Sequence, residues 1–280
     1  MSEYTDFAGP EELRTRGTVL VVPGRGESRA TYARFGTRIA ADAYRVRLVD
    51  PPNIDPADVA GSLDRFAEAL AAAVDDLTHR PLVLVGADSG AAAIAALLGR
   101  ADHDAVWWPD AVVLAGLPGR GAGVTGGWSE ELDVRTSCPV HRGVLTEDTA
   151  VERGALAIPL PDDLLDAAQA ALAGSVESTQ ARLPVERGSL TTPLPGKLLD
   201  ADPVEVPRLV LVGDADPLAD REALARSVKA ARARLSVVRG AHHDVLNDVQ
   251  HRSVAAEIVS FLEVLRNELV PVISVESSAW

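Results

Sequence analysis

The sequence predicts an α/β protein in which a mostly parallel central sheet is flanked by helices. Short Val- and Leu-rich runs, apolar on both faces, alternate along the chain with longer stretches whose apolar residues recur at helical spacing. Strands that are apolar on both faces are typical of parallel sheets, because helices cover both sides of such a sheet. Hydrophobic residues make up 47% of the 280 residues, so the chain can bury a large core.

Six of the apolar runs are predicted to be strands, and four of the longer stretches are predicted to be helices. The strands cover residues 18–22, 46–49, 82–85, 111–115, 209–212 and 235–238. The helices cover residues 32–41, 58–77, 91–98 and 253–265. The third helix is almost wholly apolar, which predicts a buried position.

The alternation breaks between residues 118 and 207, where Gly and Pro are frequent and only one short helix, at about 162–173, is predicted. We interpret residues 119–206 as a cap inserted into a core formed by residues 1–118 and 207–280. Loops at the carboxyl ends of parallel strands form ligand sites, so a cap there would shape a substrate pocket. Trp128 is its candidate substrate-binding aromatic residue.

Composition limits the classes of partner. The net charge is −14 and no run of Lys or Arg is present, which argues against a nucleic-acid partner. No stretch approaches the ~20 apolar residues that span a membrane, and the first residues lack a signal-peptide pattern. A lone cysteine, Cys138, forms no intrachain disulfide. We expect a soluble cytoplasmic protein, whose oligomeric state stays open with a homodimer as one arrangement.

A candidate nucleophile follows the third predicted strand. Residues 86–91, Gly-Ala-Asp-Ser-Gly-Ala, form a strand, a sharp turn flanked by small residues, and a helix, which is the layout of a nucleophile elbow. The spacing Gly-x-nucleophile-x-Gly centres on Asp88, and a frame shifted by one residue centres on Ser89. A simple helix cap would also explain either residue.

A candidate acid and base follow the last two predicted strands. Asp216 lies in the loop after residues 209–212, and His243 lies in the loop after residues 235–238. A histidine base needs a carboxylate that fixes its tautomer, and the order nucleophile, acid, histidine is that of α/β-hydrolases. We therefore expect Asp216 and His243 to lie within hydrogen-bond reach at the sheet edge that carries Asp88. His242 is the alternative histidine.

Three motifs resemble lysophospholipase and monoglyceride-lipase-like α/β-hydrolases. They are Gly24-x-Gly26-Glu27 followed by Tyr32 and a helix, Gly213-x-x-Asp216, and the His-Asp-Val-Leu-Asn-Asp run at 243–248, which is similar to the family's His-Glu-x-x-Asn-Glu. The resemblance covers residues 17–117 and 207–266. It implies the α/β-hydrolase fold, hydrolysis of a small-molecule ester or acyl substrate without a cofactor, and an oxyanion hole of backbone N–H groups near Gly24, Arg25 and Ser89.

Two residues depart from that family. Pro23 stands where the family has His, and Asp88 stands where it has Ser. An aspartate there resembles haloalkane dehalogenases and epoxide hydrolases, in which a carboxylate attacks a saturated carbon. Attack of a carboxylate on an ester would instead give a high-energy anhydride. Epoxide hydrolases use tyrosines of the cap to protonate the leaving oxygen, but the three tyrosines here (Tyr4, Tyr32 and Tyr44) lie outside the cap. Dehalogenases often bind the halide with a Trp beside the nucleophile, but the neighbour here is Ser89.

Several functions therefore stay open. Hydrolysis of an ester-type or small acyl substrate is the function that we expect, and an Asp-nucleophile hydrolase and a non-catalytic binding scaffold are the alternatives that the motifs leave open. A nicotinamide-binding oxidoreductase is a minor alternative, because Gly24-x-Gly26 with Asp50 lacks the third glycine, where Arg29 stands. We expect no metal, since the Asp- and His-containing runs at 102–104 and 242–244 fit a solvated loop and the base loop.

Overall fold

The computed structural model describes residues 4–100, 103–174, 206–231 and 233–273. Within them, one sheet of seven strands has the spatial order β1-β3-β2-β4-β5-β6-β7. The strands are β1 (Thr5–Phe7), β2 (Thr18–Val22), β3 (Arg45–Leu48), β4 (Leu82–Ala87), β5 (Ala111–Ala115), β6 (Arg208–Gly213) and β7 (Arg234–Val238). Strands β2 to β7 pair in parallel, which confirms the predicted fold class.

The first strand is absent from the sequence-based prediction. It has three residues, two of them exposed, so it contains no apolar run to detect. It pairs antiparallel with β3 at the sheet edge. Charge also holds it there, because Arg47 donates to both carboxylate oxygens of Asp6, at 2.7 Å each.

Eight α-helices surround the sheet in the described residues. They are α1 (Ala33–Ala41), α2 (Val59–Val74), α3 (Asp88–Leu98), α4 (Trp128–Arg135), α5 (Pro139–Glu147), α6 (Asp162–Leu172), α7 (Arg221–Ala230) and α8 (His251–Arg266). Helices α4, α5 and α7 are not predicted from the sequence, because each has few buried apolar positions. None of the described helices is long and apolar enough to cross a bilayer.

The two faces of the sheet bury separate apolar clusters. On β4, Leu84 points into the cluster with α2, α3 and α6, whereas Val83 and Val85 point into the cluster with α1 and α8. All eleven residues of α3 are buried, as predicted for this apolar segment. Its many alanines allow α3 to lie between the sheet and α6, which packs against it.

The segment 119–174 contains α4, α5 and α6, joined by turns and irregular backbone, and no strand. Helix α6 shares the apolar cluster of β4 and α3, while Leu132, Leu145 and Val151 form a smaller cluster with Trp128. Residues 175–205 of the expected cap lie outside the described residues, as do 274–280 of the tail and Asp102. The division into core and cap stays a prediction.

Parallel pairing brings the functional loops to one edge. Val22 is level with Gly86, Gly86 with Leu114, and Gly213 with Val238, so β2, β4, β6 and β7 end together. The loops that follow them carry residues 23–27, Asp88, Asp216 and His243.

Ile94→Ala tests the buried position of α3. Ile94 is 1% exposed, so the substitution removes buried methyl groups and leaves a cavity between the sheet and its helices. We expect the free energy of unfolding to fall by about 2–5 kcal/mol in urea denaturation. Val106→Ala, at a residue that is 66% exposed, is the control and should change it by less than about 0.5 kcal/mol. Equal effects of the two substitutions would contradict this packing.

Candidate active site

The turn between β4 and α3 holds Asp88 in an unusual backbone conformation. Asp88 has φ +45°, in the left-handed region that residues with a Cβ rarely adopt. Its flanks must be small: a Cβ at Gly86 would lie 2.7 Å from the backbone N of Ala91, and one at Gly90 would lie 2.6 Å from the carbonyl O of Val22. The strand, strained turn and helix have the layout expected for a nucleophile elbow.

The Asp88 carboxylate is held by two residues. Its Oδ1 accepts from Arg25 Nη2 at 2.8 Å and lies 3.2 Å from His243 Nε2. Its Oδ2 accepts from Arg25 Nε at 2.8 Å and from the Arg25 backbone N–H at 2.9 Å. Both oxygens are therefore occupied, and the side chain of Asp88 is only 5% exposed.

His243 lies between two carboxylates. Its Nδ1 is 3.0 Å from Asp216 Oδ2, which is the hydrogen-bond reach expected from the sequence. Asp216 is fixed in turn, because its Oδ1 accepts from the backbone N–H of Leu218 at 2.9 Å. The structure thus aligns Asp216, His243 and Asp88 in the chain of contacts that a base and its orienting acid require.

Ser89 takes a different position from Asp88. It is 1% exposed, and its Oγ has no hydrogen-bond partner in the described part of the chain. The contact with His243 Nε2 belongs to Asp88, so the structure brings Asp88 and not Ser89 to the histidine.

The other residues expected at the site have separate positions. The N–H of Gly24 donates to Glu27 Oε2 at 2.9 Å and is engaged there, while the N–H of Arg25 points at Asp88. Trp128 packs with the small cluster of α4 and α5, and Arg153 lies over its ring at 5.5 Å. No described contact joins Trp128 to Asp88 or His243.

Charge governs the protonation of this centre. Burial alone would raise the pKa of the Asp88 carboxyl, but Arg25 and His243 outweigh it and hold that pKa well below its usual range. Burial alone would lower the pKa of His243, but Asp216 and then Asp88 raise it to about 10. At neutral pH the resting site therefore contains a carboxylate at position 88 and an imidazolium at position 243.

A second buried polar cluster lies behind Arg25. Arg135 Nη2 donates to the Arg25 carbonyl O at 2.7 Å, and His141 Nε2 lies 2.9 Å from Asp244 Oδ2. Burial and then the charge of Asp244 raise the pKa of Glu27 to about 7. The sequence does not predict this cluster as a unit, although Glu27 and Asp244 belong to two of the motifs described above.

Part of that cluster has the kinds of ligand atom that bind a metal cation. One ligand atom from each of Glu27, His141 and Asp244 lies within 4.8 Å of the others. Arg135 Nη1, however, lies 3.5 Å from Asp244 Oδ1 and already supplies a positive charge. The contacts fit an ion-pair network better than a metal site.

The site is closed from the solvent. Asp88 is 4% exposed and His243 is 2% exposed. A cavity of about 890 Å³ lies between α6 and α7, beside Leu117 and Leu218, but none of Asp88, Ser89, Asp216 and His243 lines it. Access to Asp88 therefore requires a side chain to move.

Residues 19–257 match the sequence profile of the alpha/beta hydrolase family. The chain belongs to that family. As a member, it is an enzyme of the hydrolase type, and its class stays open. Among curated protein sequences, this α/β-hydrolase has no match.

Solved structures share the fold of this α/β-hydrolase at low identity. A monoacylglycerol lipase of Paleococcus ferrophilus is 16% identical, with TM-score 0.63 over 95% of this chain and 99% of that one. A soluble variant of monoglyceride lipase from Saccharomyces cerevisiae is 15% identical, with TM-score 0.62 over 94% and 91%. An enol-lactonase from Burkholderia xenovorans LB400 is 14% identical, with TM-score 0.58 over 93% and 96%. At such identities the likeness extends to the fold alone.

Titration of His243 tests the charge arrangement. NMR of the labelled imidazole should show His243 protonated through neutral pH, with a pKa of about 10. Asp88→Asn should lower that pKa, because one of the two carboxylates that stabilise the imidazolium is removed. Asp163→Asn, at an exposed carboxylate on α6, should leave it unchanged. A wild-type pKa near 6.5 would contradict the arrangement.

Proposed function

We propose that this α/β-hydrolase uses Asp88 as its nucleophile and hydrolyses small molecules that carry a leaving group on a saturated carbon. The observation that carries the proposal is the contact of 3.2 Å between Asp88 Oδ1 and His243 Nε2, made from a strained turn. Ser89 Oγ has no such partner in the described residues. The geometry therefore favours the aspartate over the serine, which the sequence left open.

In the first step, Asp88 Oδ1 attacks the saturated carbon. A C–O bond forms while the bond from that carbon to the leaving group breaks, and the leaving group departs with the electron pair. A halide leaves as the anion, and an epoxide oxygen leaves as an alkoxide that takes the Nε2 proton of the His243 imidazolium. The product is an alkyl ester of Asp88.

In the second step, His243 activates water. Nε2 takes a proton from a water molecule whose oxygen attacks the carbonyl carbon of the ester. The backbone N–H of Arg25, 2.9 Å from Oδ2, is in position to donate to the oxyanion that forms on that oxygen. The alcohol then leaves with the proton from His243, and Asp88 keeps one oxygen atom of the water. The second proton of that water passes from the Asp88 carboxyl to His243, which restores the resting imidazolium.

Formation of the ester also prepares the base. His243 is protonated in the resting site because two carboxylates raise its pKa. Alkylation removes the charge of Asp88, so the pKa of His243 falls and its Nε2 proton leaves, to the alkoxide when an epoxide opens and to water when a halide departs. The ring is then the neutral base. Asp216 keeps the ring oriented through Nδ1.

The other functions have less support. Hydrolysis of an ordinary ester by Asp88 would pass through an anhydride. Nicotinamide binding gains nothing from Asp50, which pairs with Arg29 at 3.1 Å. A non-catalytic scaffold does not fit membership of a hydrolase family, and the occupation of both carboxylate oxygens by Arg25 and His243 is instead an arrangement that a substrate has to displace.

Trapping of the ester tests the proposal. In His243→Gln, the base is missing, so incubation with bromoacetate or bromoacetamide should leave the alkyl group on Asp88. Mass spectrometry of the intact protein and its peptides should place the adduct on the peptide that contains Asp88. Wild-type protein should release bromide and accumulate no adduct there.

Two further variants control this experiment. Asp88→Asn in the His243→Gln background should give no adduct on that peptide, whereas Ser89→Ala in the same background should keep it. Peptide mapping separates any reaction at Cys138. A serine-directed phosphonate that labels Ser89 of the wild type would contradict the proposal. Absence of both adduct and bromide release would also contradict it.

A further inference from the structure

Arg25 seals the candidate nucleophile. Its guanidinium makes two contacts of 2.8 Å with the two oxygens of Asp88, and its Nη1 donates to the carbonyl O of Ile158 at 2.5 Å. The Arg25 side chain is 10% exposed, and Ile158 is 65% exposed. Arg25 therefore extends from the buried carboxylate toward the surface and occupies the space beside the nucleophile.

The pairing of Arg25 with Asp88 works against nucleophilic attack by the Asp88 carboxylate. A carboxylate whose lone pairs accept from a guanidinium is a weak nucleophile, so Arg25 must release it before attack. A neutral substrate that displaces the guanidinium would leave a desolvated cation without its partner, which is strongly unfavourable. A substrate with its own anionic group would give Arg25 a replacement partner.

We propose that the substrate carries a carboxylate, and that Arg25 transfers its two hydrogen bonds from Asp88 to that group when the substrate binds. This inference rests on the proposed function. A group that takes over donors 2.8 Å from Asp88 lies directly beside the nucleophile. The substrate class is therefore a short carboxylic acid with its leaving group on the carbon next to the carboxylate, such as a 2-halo acid.

The backbone of Arg25 is built to stay in place during this exchange. Its N–H is 2.9 Å from Asp88 Oδ2, and its carbonyl O accepts from the buried Arg135 at 2.7 Å. Only the side chain has to move, so the oxyanion donor at Arg25 N–H remains aligned. Arg135 is 1% exposed and held by Glu131, which keeps this support rigid.

The same carboxylate would stabilise the intermediate. Once Asp88 is an alkyl ester, it no longer carries the charge that pairs with Arg25. The carboxylate of the bound alkyl group would remain on the guanidinium until water cleaves the ester. Planar two-point pairing of guanidinium and carboxylate suits Arg better than Lys at this position.

Bromide release from bromoacetate and from bromoacetamide tests the inference. The two compounds have nearly the same size and leaving group but differ in charge. Each kcat/KM is divided by the rate at which the compound alkylates free acetate, which removes their different intrinsic reactivity. Wild-type protein should prefer bromoacetate by at least about tenfold, because the amide leaves Arg25 unpaired.

Arg25→Met should reverse that preference. Bromoacetate should lose at least about tenfold in normalised kcat/KM, while bromoacetamide should react faster than with the wild type, because Asp88 is no longer clamped. Arg25→Lys should keep a smaller preference for bromoacetate. A purely structural role of Arg25 predicts equal losses for both compounds and would overturn the inference.

The outcomes separate this inference from the proposed function. If wild-type protein releases bromide from bromoacetamide as fast as from bromoacetate after normalisation, the role of Arg25 is wrong while Asp88 chemistry stands. If neither compound releases bromide or forms an adduct on Asp88 in His243→Gln, both proposals fail. The wild-type ratio alone decides the role of Arg25 if Arg25→Met does not fold.

Discussion

A row of alternating charges below the protein surface controls this site. Arg25, Asp88, His243 and Asp216 follow one another at contact distances of 2.8–3.2 Å, and their side chains are almost completely buried. Transfer of any one of these charges from water is costly, and removal of one partner from a buried pair commonly costs about 3–5 kcal/mol. Each charged group is tolerated because its neighbour has the opposite sign. Under the proposed role of Arg25, substrate binding exchanges one such pair for another.

The fold supplies the rigid frame for that row. Six parallel strands end at one edge, so short loops suffice to bring together residues that are more than 100 positions apart in the chain. Close packing around Gly90 fixes the turn that presents Asp88, and Leu218 fixes Asp216 through its N–H. Behind Arg25, Arg135 connects the loop after β2 to α4. The site is thus supported on both sides by buried polar contacts.

Much of this architecture follows from the sequence alone. Apolar runs identify β2 to β7, since a parallel strand buries both of its faces. Order and spacing also identify Asp88, Asp216 and His243 as neighbours, because loops after parallel strands meet at one edge. The short strand β1 escapes prediction, since it is stabilised by ion pairs to Asp6 rather than by an apolar run. Helices α4 and α5 escape for a similar reason, as they bury few apolar residues.

The contacts of long side chains could not be read from the sequence. The Gly-x-Gly spacing predicts that the loop backbone lies close to its neighbours, but it does not predict that the guanidinium of Arg25 pairs with the carboxylate of Asp88. The partners of Glu27 come from distant segments, and no local pattern announces their meeting. Trp128 is the opposite case. The sequence predicts that it binds substrate, but its ring packs with the apolar residues of its own segment instead. The sequence also leaves open whether Asp88 or Ser89 faces His243, because that depends on the direction of the turn, which is visible only in the structure.

The central claim is that Asp88 forms and loses a covalent bond during turnover. A single turnover of bromoacetate by excess enzyme in ¹⁸O-labelled water tests it most directly. Because water attacks the carbonyl carbon of the ester, the label should appear in the carboxylate of Asp88, and the first molecule of glycolate should carry unlabelled oxygen from the enzyme. Label found in the glycolate hydroxyl, with none in the Asp88 peptide, would show direct attack of water on the substrate and contradict the account.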